Sequence, residues 1–278
     1  MINDKKAGPI GIFDSGYGGL TIYREIEELL PQYDYLYLGD NARTPYGTRS
    51  FDVVYDFTRE CVRHLFNRGC HLVILACNTA SAKALRSIQQ NDLPLIAPER
   101  RVLGIIRPTV ETIGSVTESR HVGVLATEGT IKSNSYPLEI RKLYPDIVVT
   151  GEACPMWVPL VENCEHGNDG ADYFVKRHID NLLSRDSQID TIILGCTHYP
   201  MLIEKIKKYV PQGVRVLTQG AAVAASLKDY MQRHPEMDAL CSKGGGRLFC
   251  TTESGDKFCE HASRYLNKHI DVQHVTLE

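Results

Sequence analysis

The chain has 278 residues, a formal charge of -3, and a composition that is 43% hydrophobic and 23% charged. Such values are those of an ordinary globular protein; they supply no basic field for nucleic acid, and no apolar run approaches the roughly 18 residues of a membrane helix. The length accommodates one large or two small domains of about 100–200 residues each.

Ten apolar runs are predicted as strands, in order Pro9–Phe13, Tyr35–Leu38, Leu72–Leu75, Val102–Ile106, Val122–Leu125, Ile147–Thr150, Thr191–Leu194, Val214–Thr218, Leu248–Thr251 and Val272–Val275. Each is short and rich in Val, Ile, Leu or Tyr, as buried strands are. Amphipathic segments between them predict helices over Leu20–Leu30, Ser50–Arg68, Asp169–Ser184 and Met201–Tyr209, the first closed by Pro31 and the last by Pro211. Strand–helix alternation of this kind predicts an α/β protein with mainly parallel sheets.

Nine cysteines are the unusual feature. The sequence opens MINDKKAG, with two lysines and no apolar stretch, which predicts no secretory signal and a cytoplasmic setting with reduced thiols. Structural zinc favours paired C-x₂₋₄-C or H-x₃₋₅-H units. The cysteine gaps of 9, 7, 77, 10, 32, 45, 9 and 9 contain no such cysteine pair, although Cys196-Thr197-His198 is a close Cys/His spacing with Cys154 and Cys164 upstream. Neither a metal nor another cofactor is expected; for pyridoxal phosphate, no lysine stands in a site-like segment. Cys61, Cys70, Cys241, Cys250 and Cys259 carry no second polar cue and read as packing or surface residues.

Two cysteines differ from the rest. The run from His71 through Cys77-Asn78-Thr79 echoes that from Asp190 through Cys196-Thr197-His198. The run Ile10-Gly11-Ile12-Phe13-Asp14 echoes Val122-Gly123-Val124-Leu125-Ala126. A period this long exceeds that of solenoid repeats and fits two similar α/β domains. Ligands of open α/β sheets sit beyond the carboxyl ends of strands, where both cysteines stand. A helix N-terminus after each would favour thiolate.

The loop Asp14-Ser15-Gly16-Tyr17-Gly18-Gly19 lacks the third glycine of a dinucleotide fingerprint and the Lys-Ser/Thr of a phosphate loop. It is expected to let backbone N–H groups approach a small anion, with Asp14 either orienting a substrate or proton-transfer partner or capping the next helix. The loop Gly39–Gly47, with Tyr46, is a candidate wall of the same site.

Five blocks in order resemble the cofactor-independent glutamate racemases of bacterial cell-wall synthesis: Ile12–Leu20, Tyr37–Gly47, Ala76–Ala80, Gly123–Thr130 and Leu194–Pro200. The resemblance implies two pseudo-symmetric α/β domains with the active site in the cleft between them. It implies that Cys77 and Cys196 are the acid/base pair, that Asp14 and His198 assist them, and that Glu162 is a third helper, with Glu152 and Glu165 nearby. It further implies that Asp14-Ser15, Tyr46-Gly47, Asn78-Thr79 and Thr197-His198 hold glutamate, and that the protein is a homodimer. The expected domains are 1–98 plus 211–278, carrying Cys77, and 99–210, carrying Cys196. The alternatives are a racemase of aspartate or another acidic amino acid, a non-catalytic binding protein on this scaffold, and a cysteine hydrolase.

Three stretches stand apart from the pattern. Thr218-Gln219-Gly220 occupies the place where the family usually reads Asp-Ser-Gly. Arg107 either meets an anionic effector or forms a surface ion pair. Asn163–Gly170 is either a mobile flap or a plain surface loop.

Overall fold

The structure, a computed structural model, describes residues 6–277. The opening residues 1–5, on which the reading of the N-terminus and the start of the first expected domain depend, lie outside that range. All ten predicted strands form: β1 Ile10–Asp14, β2 Tyr35–Gly39, β3 Leu72–Leu75, β4 Arg101–Gly104, β5 His121–Ala126, β6 Val148–Ala153, β7 Thr191–Gly195, β8 Arg215–Leu217, β9 Arg247–Thr251 and β10 Val272–His274. They build two sheets, of order β10-β9-β2-β1-β3-β4 and β6-β5-β7-β8. Every pairing between them is parallel.

Every residue of β1, β2, β3 and β7 is buried. Helices cover both faces of such sheets, so their strands carry apolar side chains on both sides and read as continuous runs. Burying a side chain such as Ile12 or Phe13, each 0% exposed, contributes roughly 1.5–3 kcal/mol.

The echo in the sequence is a repeat of topology. The order β4-β3-β1-β2 in one sheet is matched by β8-β7-β5-β6 in the other. Cys77 therefore follows β3 and Cys196 follows β7, its counterpart, each strand lying beside the first strand of its half.

The expected domain limits at 98/99 and 210/211 fall one strand early. β4 pairs with β3, Leu72 opposite Arg101 through Leu75 opposite Gly104, and so belongs to the first sheet. β8 pairs with β7 and belongs to the second. Both are short outer strands of the repeat whose apolar residues do not distinguish one sheet from the other. Their backbone N–H and C=O groups settle the matter by finding a ladder.

The helices follow the amphipathic pattern. Leu20–Leu29 buries Leu20, Ile22, Tyr23 and Ile26. Phe51–Asn67 begins where the Ser50 hydroxyl accepts the Val53 N–H, and Asp169–Arg185 where the Asn168 side chain accepts the Ala171 N–H; such caps occupy helix-end donors that otherwise lack partners. The Asn168 cap ends the Asn163–Gly170 stretch, a short turn in which the Asn163 side-chain amide also donates to the Pro159 carbonyl at 2.8 Å. The predicted strand end at Ile106 is instead the start of a helix, Ile106–Ile113. Arg107 on that helix pairs with Glu111 at 2.8 Å and Glu139 at 3.3 Å, the surface ion pair. No helix among the described residues is long and apolar enough to cross a membrane.

Candidate active site

Cys77 caps the helix Asn78–Lys83, its sulfur accepting the Ala80 N–H at 3.4 Å. Ser15 Oγ lies 3.3 Å from the same sulfur. Burial, then the nearby Asp14 carboxyl, push the Cys77 thiol up to about 12, against the opposing hydrogen bonds of Ser15 and Ala80. The thiol therefore keeps its proton at neutral pH.

Cys196 is positioned differently. A helix was expected to begin just after it. The chain instead turns and forms a single 3₁₀ turn, Tyr199–Leu202, before the α-helix Ile203–Tyr209. Pro200 at the head of that turn has no N–H to give a backbone ladder. A histidine stands where the helix field was expected: His198 Nδ1 is 3.8 Å from the Cys196 sulfur, and His198 Nε2 is 2.5 Å from Glu162 Oε1. Burial alone would drive the His198 imidazole down, but its bonds to Cys196 and Glu162 outweigh that and hold it well above the ordinary histidine value.

Of the three carboxylates near this segment, Glu162 is the one that meets His198. Glu152 pairs with His178 at 2.7 Å and with Arg185, and Glu165 accepts from Asn168. The helix Trp157–Glu162 carries Glu162 in its last position; it packs through Trp157, which is fully buried with its ring 4.7 Å from that of Tyr199.

The glycine loop after β1 was expected to let backbone N–H groups approach an anion; two of those groups turn inward instead. Gly16 N–H and Gly19 N–H both donate to Asp14 Oδ2 at 3.0 Å, so the loop wraps its own carboxylate. The other oxygen, Oδ1, is buried with no hydrogen-bond partner. Burial raises the Asp14 carboxyl above its usual range, opposed by His198 and the two glycine N–H groups. The glycines serve a second purpose, close approach: a Cβ on Gly18 would stand 2.5 Å from His198 Nδ1 and 2.6 Å from Thr197 Oγ1.

Ser15, Tyr46, Gly47, Cys77, Asn78, Thr79, Cys196, Thr197 and His198 line one cavity of about 70 Å³. Of the residues singled out in the sequence, Asp14 and Glu162 do not line it; they lie behind, Asp14 in the loop that carries Ser15 and Glu162 against His198. Tyr46 is buried and its hydroxyl donates to Asp40. Gly47 accepts the Gly129 N–H at 2.8 Å, and Thr79 Oγ1 lies 3.0 Å from Thr127 Oγ1. Thr21 Oγ1 donates to the Thr197 carbonyl at 3.1 Å. The last three of these bonds join residues from the two halves of the chain around the cavity.

Sequence reasoning missed four polar members of the wall, Thr48, Thr127, Glu128 and Cys154. Thr127 directly follows β5 as Ser15 follows β1, so the internal repeat was the signal that would have found it. Cys154 directly follows β6 and is buried. All nine cysteines are free thiols. Among the described residues no three His, Cys, Asp or Glu side chains gather as a metal site.

The cavity thus receives a thiol from each half of a repeated fold, one beside a hydroxyl and one beside an imidazole held by a carboxylate. A family model described as Asp/Glu/hydantoin racemase matches residues 10–227. Over 274 residues the chain is 37% identical to a glutamate racemase of Ruegeria sp. (strain TM1040), covering 95% of this chain and 98% of that one. The fold superposes on the crystal structure of a glutamate racemase isoform from Bacillus anthracis with a TM-score of 0.88, at 35% identity and 98% coverage of each chain. It superposes on a Francisella tularensis glutamate racemase solved with D-glutamate with a TM-score of 0.85, at 30% identity and 98% coverage of each chain. With these matches across nearly its whole length, the chain belongs to the Asp/Glu/hydantoin racemase family, and within it to the glutamate racemases.

Proposed function

We propose that this enzyme interconverts L-glutamate and D-glutamate without a cofactor, by proton transfer between the substrate Cα and two thiols, Cys77 and Cys196. The observation that carries the reading is the placement of these two cysteines at equivalent strand ends of the two halves, both opening on one cavity. Racemisation requires a base on one face of Cα and an acid on the other, and exchanging their roles runs the reverse reaction.

The resting charges suit that task. Cys77 holds its proton and acts as the acid. The basic role is assigned to Cys196, because His198, supported by Glu162, stands beside its sulfur. The Cys196 thiolate takes the Cα proton and becomes a thiol; the electron pair left on Cα takes the Cys77 proton from the other face, and Cys77 becomes the thiolate. Return of the resting state moves one proton through solvent or through the next substrate. Positioned acid and base groups of this kind contribute about 10²–10⁴-fold.

Ser15, Asn78, Thr79, Thr197 and the Tyr46–Gly47 segment hold the substrate, with hydroxyl and amide donors suited to its carboxylates. Fixed donors of this kind stabilise the carbanion-like transition state more than water does, because they are already oriented. Asp14 assists from behind the Cys77 side, and His198 with Glu162 from the Cys196 side. The reading includes supply of D-glutamate for peptidoglycan and a homodimer, both resting on the family resemblance. A cytoplasmic location accords with nine unpaired cysteines in a reducing compartment.

The test is optical rotation or circular dichroism of L- and D-glutamate, each incubated with purified enzyme and chelator and without added cofactor. Decay of both signals to zero is expected, with aspartate unchanged. A stable glutamate signal would overturn the reading, and decay of the aspartate signal alone would give the substrate as aspartate.

A further inference from the structure

We propose that Gln219 is a positioning residue for this reaction: it locks the side-chain amide of Asn78 so that one Asn78 N–H is kept for the substrate. The inference rests on the reading of Asn78 as a substrate-holding residue. Gln219 is the middle residue of the Thr218–Gly220 stretch that departs from the family pattern, and it is 2% exposed. It stands just before the helix Gly220–Arg233, where the chain leaves the second sheet.

A directional chain of hydrogen bonds runs from the backbone to Asn78. Thr109 Oγ1 donates to the Ile105 carbonyl at 2.9 Å, so its oxygen is left to accept. Gln219 Nε2 lies 3.0 Å from that oxygen and 2.9 Å from the Tyr136 hydroxyl, its two nearest acceptors, and an amide nitrogen has two hydrogens to give. This fixes Gln219 Oε1 toward Asn78 Nδ2, which donates to it at 2.6 Å. Tyr136, having accepted from Gln219, gives its own hydrogen to Asn78 Oδ1 at 2.8 Å.

Both ends of the Asn78 amide are therefore specified. Oδ1 is held by a donor and Nδ2 by an acceptor, so a flipped amide would set donor against donor and acceptor against acceptor. These bonds use one of the two Nδ2 hydrogens. The other remains for an acceptor in the cavity that Asn78 lines. The members come from separate parts of the chain: Ile105 and Thr109 where it first passes from one sheet to the other, Gln219 where it returns, Tyr136 in the second half and Asn78 in the first. The same cluster thus ties the two crossings to the site, and an unmet group within it is costly because the cluster is buried.

The test is a double-mutant cycle of Gln219→Met, near-isosteric but without donor or acceptor, with Asn78→Ala, alongside Tyr136→Phe. Each protein is assayed for kcat and KM with both enantiomers, and its folding is checked by thermal melting. Gln219→Met is expected to raise the KM for glutamate about tenfold with a smaller change in kcat, the pattern of lost substrate binding. Tyr136→Phe should move KM in the same direction. In the Asn78→Ala background, Gln219→Met should add no further loss, because its effect passes through Asn78. A folded Gln219→Met protein with wild-type KM, or losses that simply add in the double mutant, overturns the proposal. If Gln219→Met does not fold, an unchanged KM in Tyr136→Phe overturns it instead. A wild-type enzyme inactive on glutamate overturns the parent reading and this one with it, whereas an active wild type with additive losses overturns only this one.

Discussion

Substituting Gly18 by alanine isolates the contribution of the His198 position. Gly18 is not one of the positive-φ glycines, which are Gly69, Gly213 and Gly245, so an alanine backbone fits there without strain. The added methyl is the whole perturbation. It would stand 2.5 Å from His198 Nδ1, and reaching the ordinary contact limit of 3.4 Å requires a shift of about 0.9 Å. Nδ1 is the atom that faces the Cys196 sulfur at 3.8 Å. Thr197 Oγ1, at 2.6 Å from the same methyl, is displaced with it. A misplacement of about 1 Å in a catalytic constellation costs on the order of 10²-fold, and overpacking a tight contact costs about 1–3 kcal/mol of stability. The assay is racemisation followed by circular dichroism from each enantiomer, with thermal melting in parallel. Because the enantiomers are equal in free energy, kcat/KM must fall by the same factor in both directions. Gly167→Ala is the control, since nothing lies within 4 Å of its added methyl, and it should leave activity intact. A folded Gly18→Ala enzyme with wild-type kcat/KM would show that the His198–Cys196 contact does not contribute.

Cys77→Ser and Cys196→Ser should each lower racemisation by at least about 10²–10⁴-fold while leaving one-sided half-reactions on suitable substrates; undiminished racemisation by either variant removes that cysteine from the mechanism. Glu162→Gln removes a partner that holds the His198 imidazole above its usual value. The charged imidazole is present below that raised value and lost as pH rises through it, so the alkaline limb of the pH–rate profile should move to lower pH in the variant, and an unmoved limb would argue against the role. Asp190 accepts from Thr117 and Thr191 hydroxyls and from the Glu118 and Ser119 N–H groups. Burial opposes ionisation there, but these bonds win and the carboxyl is held below its ordinary range. Its contribution to stability is therefore present above the unfolded value of about 3.9 and is lost as pH falls through the lower folded value. Asp190→Asn should lower Tm at neutral pH, and the gap from wild type should close in acid; a gap that persists there would contradict the assignment.

The strands were legible because parallel strands buried on both faces leave nothing to alternate: Leu72–Leu75 and Thr191–Gly195 show in the sequence as unbroken apolar runs. The cysteine pair was legible because the fold repeats, so position after a strand carried information that neither cysteine carried alone. The limits of the halves were not, since the partner of β4 or β8 is chosen by backbone pairing and leaves no mark on side-chain type. The loop Asp14–Gly19 was located after its strand but its N–H groups were assigned outward; those of Gly16 and Gly19 bond Asp14 Oδ2 at 3.0 Å instead. The field expected from a helix after Cys196 is replaced by His198, a consequence of the turn ahead of Pro200. Gln219 was visible only as a departure from pattern. Its meaning depends on Asn78 and Tyr136, 141 and 83 residues away in the chain, which tertiary structure alone brings together.

The central claim is that two different thiols serve the two faces of Cα. It is tested most directly by running the reaction from each enantiomer in deuterium oxide and examining Cα of substrate and product at low conversion. Two thiols predict deuterium in the newly formed enantiomer and protium retained in the remaining substrate, from either starting side. Protium carried over into the product, or deuterium entering the unconverted substrate as fast as the product forms, would contradict it.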